Sequence, residues 1–341
     1  MAMISALLMT VGAGGINGSY AIPTKYVKRW SFESTWFIFS LVTFVLAPWA
    51  YMLFCSQDVS HVIRFCSSIP SSSMMILALG GCLFGCGQIG FAWALERIGM
   101  GLAFVINISL SIVLGSFLPL FHHSSAGALV PAAVTSVGVL IILTGLFISY
   151  RAGQLRKGEQ EKSTQKNSFY TYGVIAAVIA GLGSAGQNYT FSLTNEKLYH
   201  LAISGGLSKM VATTAVWPFF LFFAFIPYAI YMLVLNVKNK SFHEYVTAEK
   251  RYYSYSLLMM LGWYGSLILY SHAVMTIGKL GAVVVWPLFM SLIIMTSNFW
   301  GWCFGEWDGA TPAVKRKAIR GLICFVLALP FFGYATYLLS I

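Results

Sequence analysis

Charge is scarce in this chain, and acidic residues are the scarcest charged type. Only 9% of the 341 residues are charged, with 10 Asp and Glu against 21 Lys and Arg. Because 58% of the residues are hydrophobic, the chain cannot cover itself with a water-soluble surface, and its solvent is lipid. The net charge of +11 is spread over short segments without a continuous basic stripe, which argues against a nucleic-acid partner.

Other patterns that carry chemistry are absent as well. The six cysteines are scattered, without the spacing of a zinc site or a disulfide scaffold. No glycine-rich segment precedes Lys-Ser or Lys-Thr, so the motif that cradles nucleotide phosphates is missing. No acid is placed to orient His272 for catalysis. The sequence therefore predicts no metal and no cofactor, and a membrane-embedded enzyme or sensor is the least favoured alternative.

Ten long apolar stretches dominate the chain instead. Each is close to the ~20 residues that a transmembrane helix needs, so the sequence predicts an all-α integral membrane protein with ten transmembrane helices. The stretches cover residues 2–22, 34–54, 73–95, 100–121, 129–149, 170–192, 207–235, 254–277, 281–303 and 318–340.

Basic residues fall almost entirely in every second gap between these stretches. The odd-numbered gaps and their edges hold 17 of the 21 Lys and Arg residues. Short loops rich in Lys and Arg stay in the cytoplasm. The sequence therefore predicts a multi-pass protein of the inner membrane with both termini on the outer side.

The two halves of the chain share a weak repeat. Residues 12–20 of the first stretch align with residues 181–189 of the sixth, with Gly, Gly and Tyr at the same spacing. Because each half contains five stretches, an odd number, the second half is inverted in the membrane relative to the first. The sequence thus predicts inverted five-helix repeats over residues 1–153 and 170–341, joined by a basic cytoplasmic linker, 154–169. Alternating-access carriers are built this way, with the substrate site near the midplane.

Polar and aromatic side chains inside the apolar stretches are candidates for the substrate site, since each needs a partner away from lipid. Amides supply donors and acceptors that suit a neutral, polyhydroxylated solute, and an aromatic ring can stack on a sugar face. The alternative for each is a hydrogen bond between helices or core packing. The candidates are Asn17, Gln88, Asn107, Gln187, Asn188, Trp263, Tyr264 and Trp286.

A coupling ion is harder to place, because no carboxylate lies in the middle of a stretch. Proton-coupled carriers commonly use a buried acid. The leading candidate here is His272, whose alternative is a neutral histidine packed between helices. Glu96 and Glu33, near the ends of their stretches, come next, and sodium coupling or no coupling stays open.

Two segments resemble a known family. Residues 20–36, which read Tyr-Ala-Ile-Pro-Thr-Lys-Tyr-Val-Lys-Arg-Trp-Ser-Phe-Glu-Ser-Thr-Trp, and residues 151–155, Arg-Ala-Gly-Gln-Leu, are similar to the bacterial L-rhamnose:proton symporter family of the drug/metabolite transporter superfamily. Pro48-Trp49, Trp263-Tyr264 and Glu306-Trp307 agree with it too. The resemblance implies ten helices in two inverted repeats and cation-coupled uptake of a sugar.

These observations together predict a secondary active carrier for a small neutral polar solute, with a sugar of the L-rhamnose type as first choice and a proton or sodium ion as partner. The alternative within transport is an exporter of metabolites or drugs. Residues 265–268, Gly-Ser-Leu-Ile, are where the sequence departs from the family pattern, which has a Gln closely after Trp-Tyr. Specificity is expected to depend on this region.

Overall fold

The computed structural model describes residues 2–122, 129–160, 169–278 and 280–338, and every regular element in these ranges is helical. The α-helices are α1 (Ala2–Ser19), α2 (Phe32–Ser40), α3 (Ala47–Cys55), α4 (Val59–Ser68), α5 (Ser71–His122), α6 (Leu129–Gln160), α7 (Phe169–Ser204), α8 (Lys209–Ala212), α9 (Trp217–Asn239), α10 (Glu244–Thr247), α11 (Arg251–Ile277), α12 (Gly281–Cys303) and α13 (Pro312–Leu338).

Eight helical segments in the described residues are long and apolar enough to cross a membrane, so the predicted all-α membrane class is confirmed. Helices α1 and α7 are not among these eight, and the count of ten crossings stays a prediction. The eight segments are Phe32–Cys55, Ser71–Ile98, Leu102–Pro119, Leu129–Arg156, Lys209–Asn239, Arg251–Ile277, Gly281–Cys303 and Pro312–Ala335.

Helix α5 reverses direction although helical turns follow one another from Ser71 to His122. The ring centroids of Phe91 and Phe104 lie 4.9 Å apart, whereas 13 residues of straight helix would separate them by about 20 Å. The reversal lies between Ile98 and Leu102, where the two apolar segments meet. The third and fourth predicted crossings are therefore the two arms of one helical hairpin.

The second predicted crossing is interrupted by a π-helical segment, Leu41–Leu46, between α2 and α3. There the Ala47 N–H donates to the carbonyl of Val42, five residues back. Pro48 follows and has no N–H to donate, which favours this wider turn over regular α-helix. The segment buries Phe44 against neighbouring helices.

Three helical segments extend the fold beyond the predicted crossings: the end of α7, helix α4 and the end of α6. Helix α7 continues past residue 192 to Ser204, because Leu198 and Ala202 lie one turn apart on its buried face. Helix α4 lies in a predicted gap and buries Val62 and Phe65. Helix α6 likewise continues to Gln160, into the segment predicted as a linker; residues 161–168 lie outside the described residues.

The basic gaps meet on one face of the molecule. Lys25 Nζ lies 3.4 Å from Glu306 Oε1, and Arg156 Nη1 donates to the Glu306 carbonyl at 2.7 Å. Trp30 Nε1 donates to the Glu244 carbonyl at 3.1 Å. These contacts join the first, fifth, seventh and ninth gaps, as a shared cytoplasmic face requires.

Candidate functional site

Helices α1 and α7 occupy matching positions in the packing. Helix α1 runs antiparallel to α11, since Gly12 lies beside Leu269 and Gly262 beside Tyr20. It runs parallel to α12: a Cβ added at Gly18 would lie 2.6 Å from Thr296 Cβ, and Gly14 sits one turn earlier against Phe289 and Leu292. Glycine permits this close approach of helix backbones.

Helix α7 repeats that arrangement on the other side. It runs antiparallel to the first arm of α5, where a Cβ at Gly183 would lie 2.8 Å from the Leu83 carbonyl oxygen and Ala176 lies beside Gly90. It runs parallel to the second arm, where a Cβ at Gly181 would lie 2.7 Å from Leu110 Cβ. Each of the two helices therefore lies between an antiparallel and a parallel neighbour from the opposite half of the chain.

Asn188 on α7 holds four helical segments together. Its Nδ2 donates to the Gly115 carbonyl at 2.7 Å and to the Ala282 carbonyl at 3.1 Å. Its Oδ1 accepts from the Tyr270 hydroxyl. The side chain is 0% exposed, and both N–H groups have partners, so in this conformation Asn188 closes the packing and offers no free donor.

The nearby Trp286 is likewise buried and hydrogen-bonded to another helix. Its Nε1 donates to the Ser111 carbonyl at 2.9 Å, and its ring is fully buried beside Tyr270. Asn107 Oδ1 accepts from Ser184 Oγ at 3.2 Å. These two sequence candidates connect helices in the conformation seen here.

Asn17 on α1 makes a simpler contact. Its Nδ2 donates to Ser266 Oγ at 2.7 Å, and Ser266 Oγ in turn donates to the Trp263 carbonyl at 2.6 Å. Gln88 and Gln187 make no side-chain hydrogen bond within the described part of the chain, although Gln187 is only 5% exposed. Among the five predicted amide residues, these two make no side-chain hydrogen bond in the described structure.

Trp263 lies in an aromatic cluster that we define as Trp263, Phe44, Phe84 and Tyr228. The Trp263 ring centroid is 5.2 Å from that of Phe44 and 6.3 Å from that of Phe84. Phe44 is in turn 6.2 Å from Tyr228. Trp263 is only partly buried, and its Nε1 has no hydrogen-bond partner among the described residues.

Tyr264, the neighbour of Trp263, points to a different environment. It is 3% exposed, and its hydroxyl has no partner in the described structure. Its ring lies 6.3 Å from that of Tyr51. The predicted Trp-Tyr pair is therefore divided between the aromatic cluster and the packing around α3.

Sequence reasoning missed Phe44, Phe84 and Tyr228. With 26 Phe and 18 Tyr in the chain, nothing in the sequence singles out these rings. The local signal was Pro48, which disturbs the helix after Phe44.

The three coupling candidates differ in burial. Glu96 lies at the surface, with a 78% exposed side chain 3.8 Å from Arg97. His272 is partly buried, and its Nδ1 lies 2.9 Å from the Ile268 carbonyl oxygen, so Nδ1 is the donor. Glu33 is the single buried carboxylate among the described residues, at 4% exposure.

Glu33 lies where the first turn of α2 meets the end of α9. Its Oε1 accepts from Asn239 Nδ2 at 2.9 Å and from Ser241 Oγ at 2.8 Å. Within the described chain no basic side chain forms an ion pair with it. Behind it, the fully buried Asn236 accepts from Ser241 at 3.1 Å and from Tyr245 at 3.2 Å.

A cavity of about 200 Å³ opens on the face opposite the basic gaps. Glu196 and His200, both exposed, lie one helical turn apart in the extension of α7 that the sequence analysis did not predict. No group of three or more metal-binding side chains occurs in the part of the chain described. The cavity is lined by Ser192, Asn195, Glu196, Tyr199, His200, Val274, Met275, Gly278 and Ala282.

Comparison with known proteins shows which family this chain resembles in sequence. The family model of the L-rhamnose-proton symport protein matches residues 1–334. An L-rhamnose-proton symporter of Shigella dysenteriae serotype 1 is 25% identical over 334 residues, covering 93% of each chain. The symporter of the same name from Cronobacter sakazakii is 25% identical over 333 residues, covering 93% of this chain and 92% of that one.

One solved crystal structure of another protein shares the fold. It superposes with a TM-score of 0.58 at 14% sequence identity, covering 95% of this chain and 96% of that chain. At this identity the likeness concerns the arrangement of helices alone.

Proposed function

Because the chain belongs to the L-rhamnose-proton symport protein family, we propose that it is a secondary active carrier that takes up a sugar of the L-rhamnose type together with a proton. The curated relatives that bear this name span nearly the same length. The observation within this chain that carries the proposal is Trp263, a partly buried indole in the aromatic cluster with an unpaired N–H. An indole of this kind can stack on the apolar face of a sugar and donate to a hydroxyl.

We infer that the carrier has ten crossings in two inverted repeats, with both termini outside. The matching neighbours of α1 and α7 support this inference, since a two-fold axis in the membrane plane would exchange α11 and α12 with the arms of α5. The shared face of the basic gaps supports the orientation. Alkaline phosphatase fused after Ile341 should be active outside, and a fusion within 156–166 inactive.

The sugar site is assigned to the aromatic cluster with Gln88 and Gln187 as hydrogen-bonding partners. Both amides lack side-chain partners in this conformation, whereas those of Asn17, Asn107 and Asn188 are engaged between helices. In this proposal Asn17 lies toward the cytoplasmic end of the sugar pathway and Asn188 toward its outer end. Their hydrogen bonds would break and re-form as the two ends open in turn.

The coupling proton is assigned to Glu33 ahead of His272 and Glu96. Glu33 is the single buried carboxylate among the described residues and has no cationic partner there, and proton-coupled carriers commonly use a buried acid. Glu96, at 78% exposure, has no such environment.

Proteoliposomes of defined orientation test the function. An imposed inward proton gradient should drive accumulation of L-rhamnose, and excess unlabelled sugar should drive counterflow without any gradient. A sodium gradient alone should drive none. Absence of both accumulation and counterflow for L-rhamnose and a panel of related sugars would refute the sugar proposal, and net transport only outward would favour the exporter.

A further inference from the structure

The cavity at the end of α7 is an opening next to the packed core, with polar side chains of α7 on one side and apolar residues of α11 and α12 on the other. Glu196, Lys197 and His200 place three ionisable side chains within five residues, which sets this part of α7 in water rather than in hydrocarbon. The cavity lies on the face away from Lys25 and Arg156. It is therefore on the outer face in the proposed orientation.

The size and the lining of the cavity suit a small hydroxylated solute. Its volume of about 200 Å³ is smaller than the ~300–1,000 Å³ of pockets for drug-sized ligands. A carboxylate accepts hydrogen bonds from adjacent hydroxyls. Asn195 and His200 add amide and imidazole groups, and Tyr199 adds an aromatic ring beside them.

The inner wall of the cavity is the segment that Asn188 holds in place. Ala282 lines the cavity, and its carbonyl accepts from Asn188 Nδ2 at 3.1 Å. Gly278, which also lines it, has a φ of +90° at the junction between α11 and α12. Backbone of this kind can rearrange without a side-chain clash. The cavity thus ends at a wall of backbone that the Asn188 side chain holds in place.

We propose that this cavity is a second, outward-facing sugar site, in which Glu196 and His200 capture the sugar before the Asn188 wall opens. This assignment rests on the proposed sugar transport. It predicts that the two side chains set the KM for sugar from the outer face and not the KM from the cytoplasmic face, because a sugar arriving from the cytoplasm meets the aromatic cluster first.

The test compares transport from the two faces in right-side-out and inside-out vesicles that contain the full chain. The double variant Glu196→Ala/His200→Ala should raise KM for L-rhamnose from the outer face about tenfold, the effect of losing one hydrogen bond to a charged group. Vmax from the outer face should stay within about twofold, and Vmax from the cytoplasmic face should fall about tenfold, because the ratio of Vmax/KM for the two directions is fixed by equilibrium. KM from the cytoplasmic face should not change. Lys197→Gln, on the same helix but outside the cavity lining, is the matched control and should leave both values as in the wild type.

A binding measurement separates the two sites. Radiolabelled L-rhamnose should still bind the Trp263→Ala variant, and adding Glu196→Ala/His200→Ala to that variant should weaken the remaining binding about tenfold further. Equal KM changes from both faces, a change from the cytoplasmic face alone, or unchanged kinetics with unchanged binding would overturn this site while transport by the wild type continued. Failure of wild-type transport would instead overturn the proposed function.

Discussion

Helices α1 and α7 carry the matched glycine segments and share a packing pattern, yet they end differently. Helix α1 stops at Ser19, and a 3₁₀ turn that contains Pro23 follows before α2 and the buried Glu33. Helix α7 continues as one helix to Ser204 and presents the exposed Glu196. The segment after α1 thus carries a buried carboxylate, whereas the end of α7 carries an exposed one.

The hydrogen bonds that link α1 and α7 to other helices also differ in number. Asn188 on α7 makes three hydrogen bonds to other helices, and Asn17 on α1 donates one. The α7 end is therefore held more firmly in this conformation. In the proposed repeat, the helix contacts are thus preserved while the two ends differ, with the proposed proton site near the α1 end and the proposed sugar-capture site near the α7 end.

The largest expected effect is the loss of accumulation driven by a proton gradient, which we expect from a substitution at Glu33 but not at Glu196. Glu33→Gln keeps an acceptor for Asn239 and Ser241 but cannot release a proton, so gradient-driven accumulation should be lost while counterflow persists. Glu196→Gln should retain accumulation. His272→Gln is a second control; if it abolished accumulation and Glu33→Gln did not, His272 would be the coupling residue.

A smaller effect compares two tryptophans. Trp263→Ala removes the exposed indole face of the aromatic cluster and should raise KM for the sugar about tenfold or more, while Trp263→Phe keeps part of the stacking. On the α7 side Trp217 is fully buried, with its ring stacked on Phe191 and its Nε1 bonded to Ser271. Trp217→Phe should lower the melting temperature in detergent and leave KM unchanged. A KM effect of equal size in both would contradict the assignment of the site to Trp263.

The two asparagines should differ in their effect on stability. Asn188→Ala leaves the buried Tyr270 hydroxyl without its acceptor and removes the side-chain donor to two carbonyls, which costs about 1–3 kcal/mol. Asn17→Ala removes one hydrogen bond and should cost about 0.6 kcal/mol, an average for such bonds between membrane helices. Denaturant or thermal unfolding in detergent measures both, and equal losses would remove the asymmetry between the ends.

Hydropathy predicted the helices that are apolar on all faces. It missed the helical segments that have one apolar and one polar face. The bounds of α12 match the predicted ninth stretch, because Gly281 starts a long, mostly apolar segment without a charged residue. The extension of α7 and helix α4 were not predicted, since an amphipathic helix on a membrane surface has low mean hydropathy.

The candidate site was predictable only where a residue type is unusual for its surroundings. Asn17, Asn188 and Trp263 stand out in apolar sequence, and the structure places each at a contact between helices. Phe44 depends on the π-helical segment and on packing between distant helices, which a single sequence does not reveal. Whether these residues bind the sugar stays a prediction.

The smallest expected effect concerns the caps of two helices, one near each end of the pathway. At α4, which packs beside α7, Asp58 Oδ1 accepts from the Ser60 N–H at 2.9 Å and Oδ2 from the Ser60 hydroxyl at 2.7 Å. These bonds, the backbone one first, hold the pKa of Asp58 below its ordinary value. At α2, the neutral Ser31 is the cap and accepts from the Ser34 N–H at 3.3 Å.

A carboxyl whose pKa is lower in the folded state stabilises the fold at pH values above its ordinary pKa of about 3.9. That contribution is lost as the pH falls through the lower, folded value, so acidification below about pH 4 should loosen α4. Hydrogen exchange of residues 59–68, corrected for the intrinsic pH dependence, should therefore rise in the wild type. In Asp58→Asn the rise should be absent, because Asn caps a helix nearly as well and does not titrate. An equal rise in that variant would show that other groups open this end of the molecule in acid.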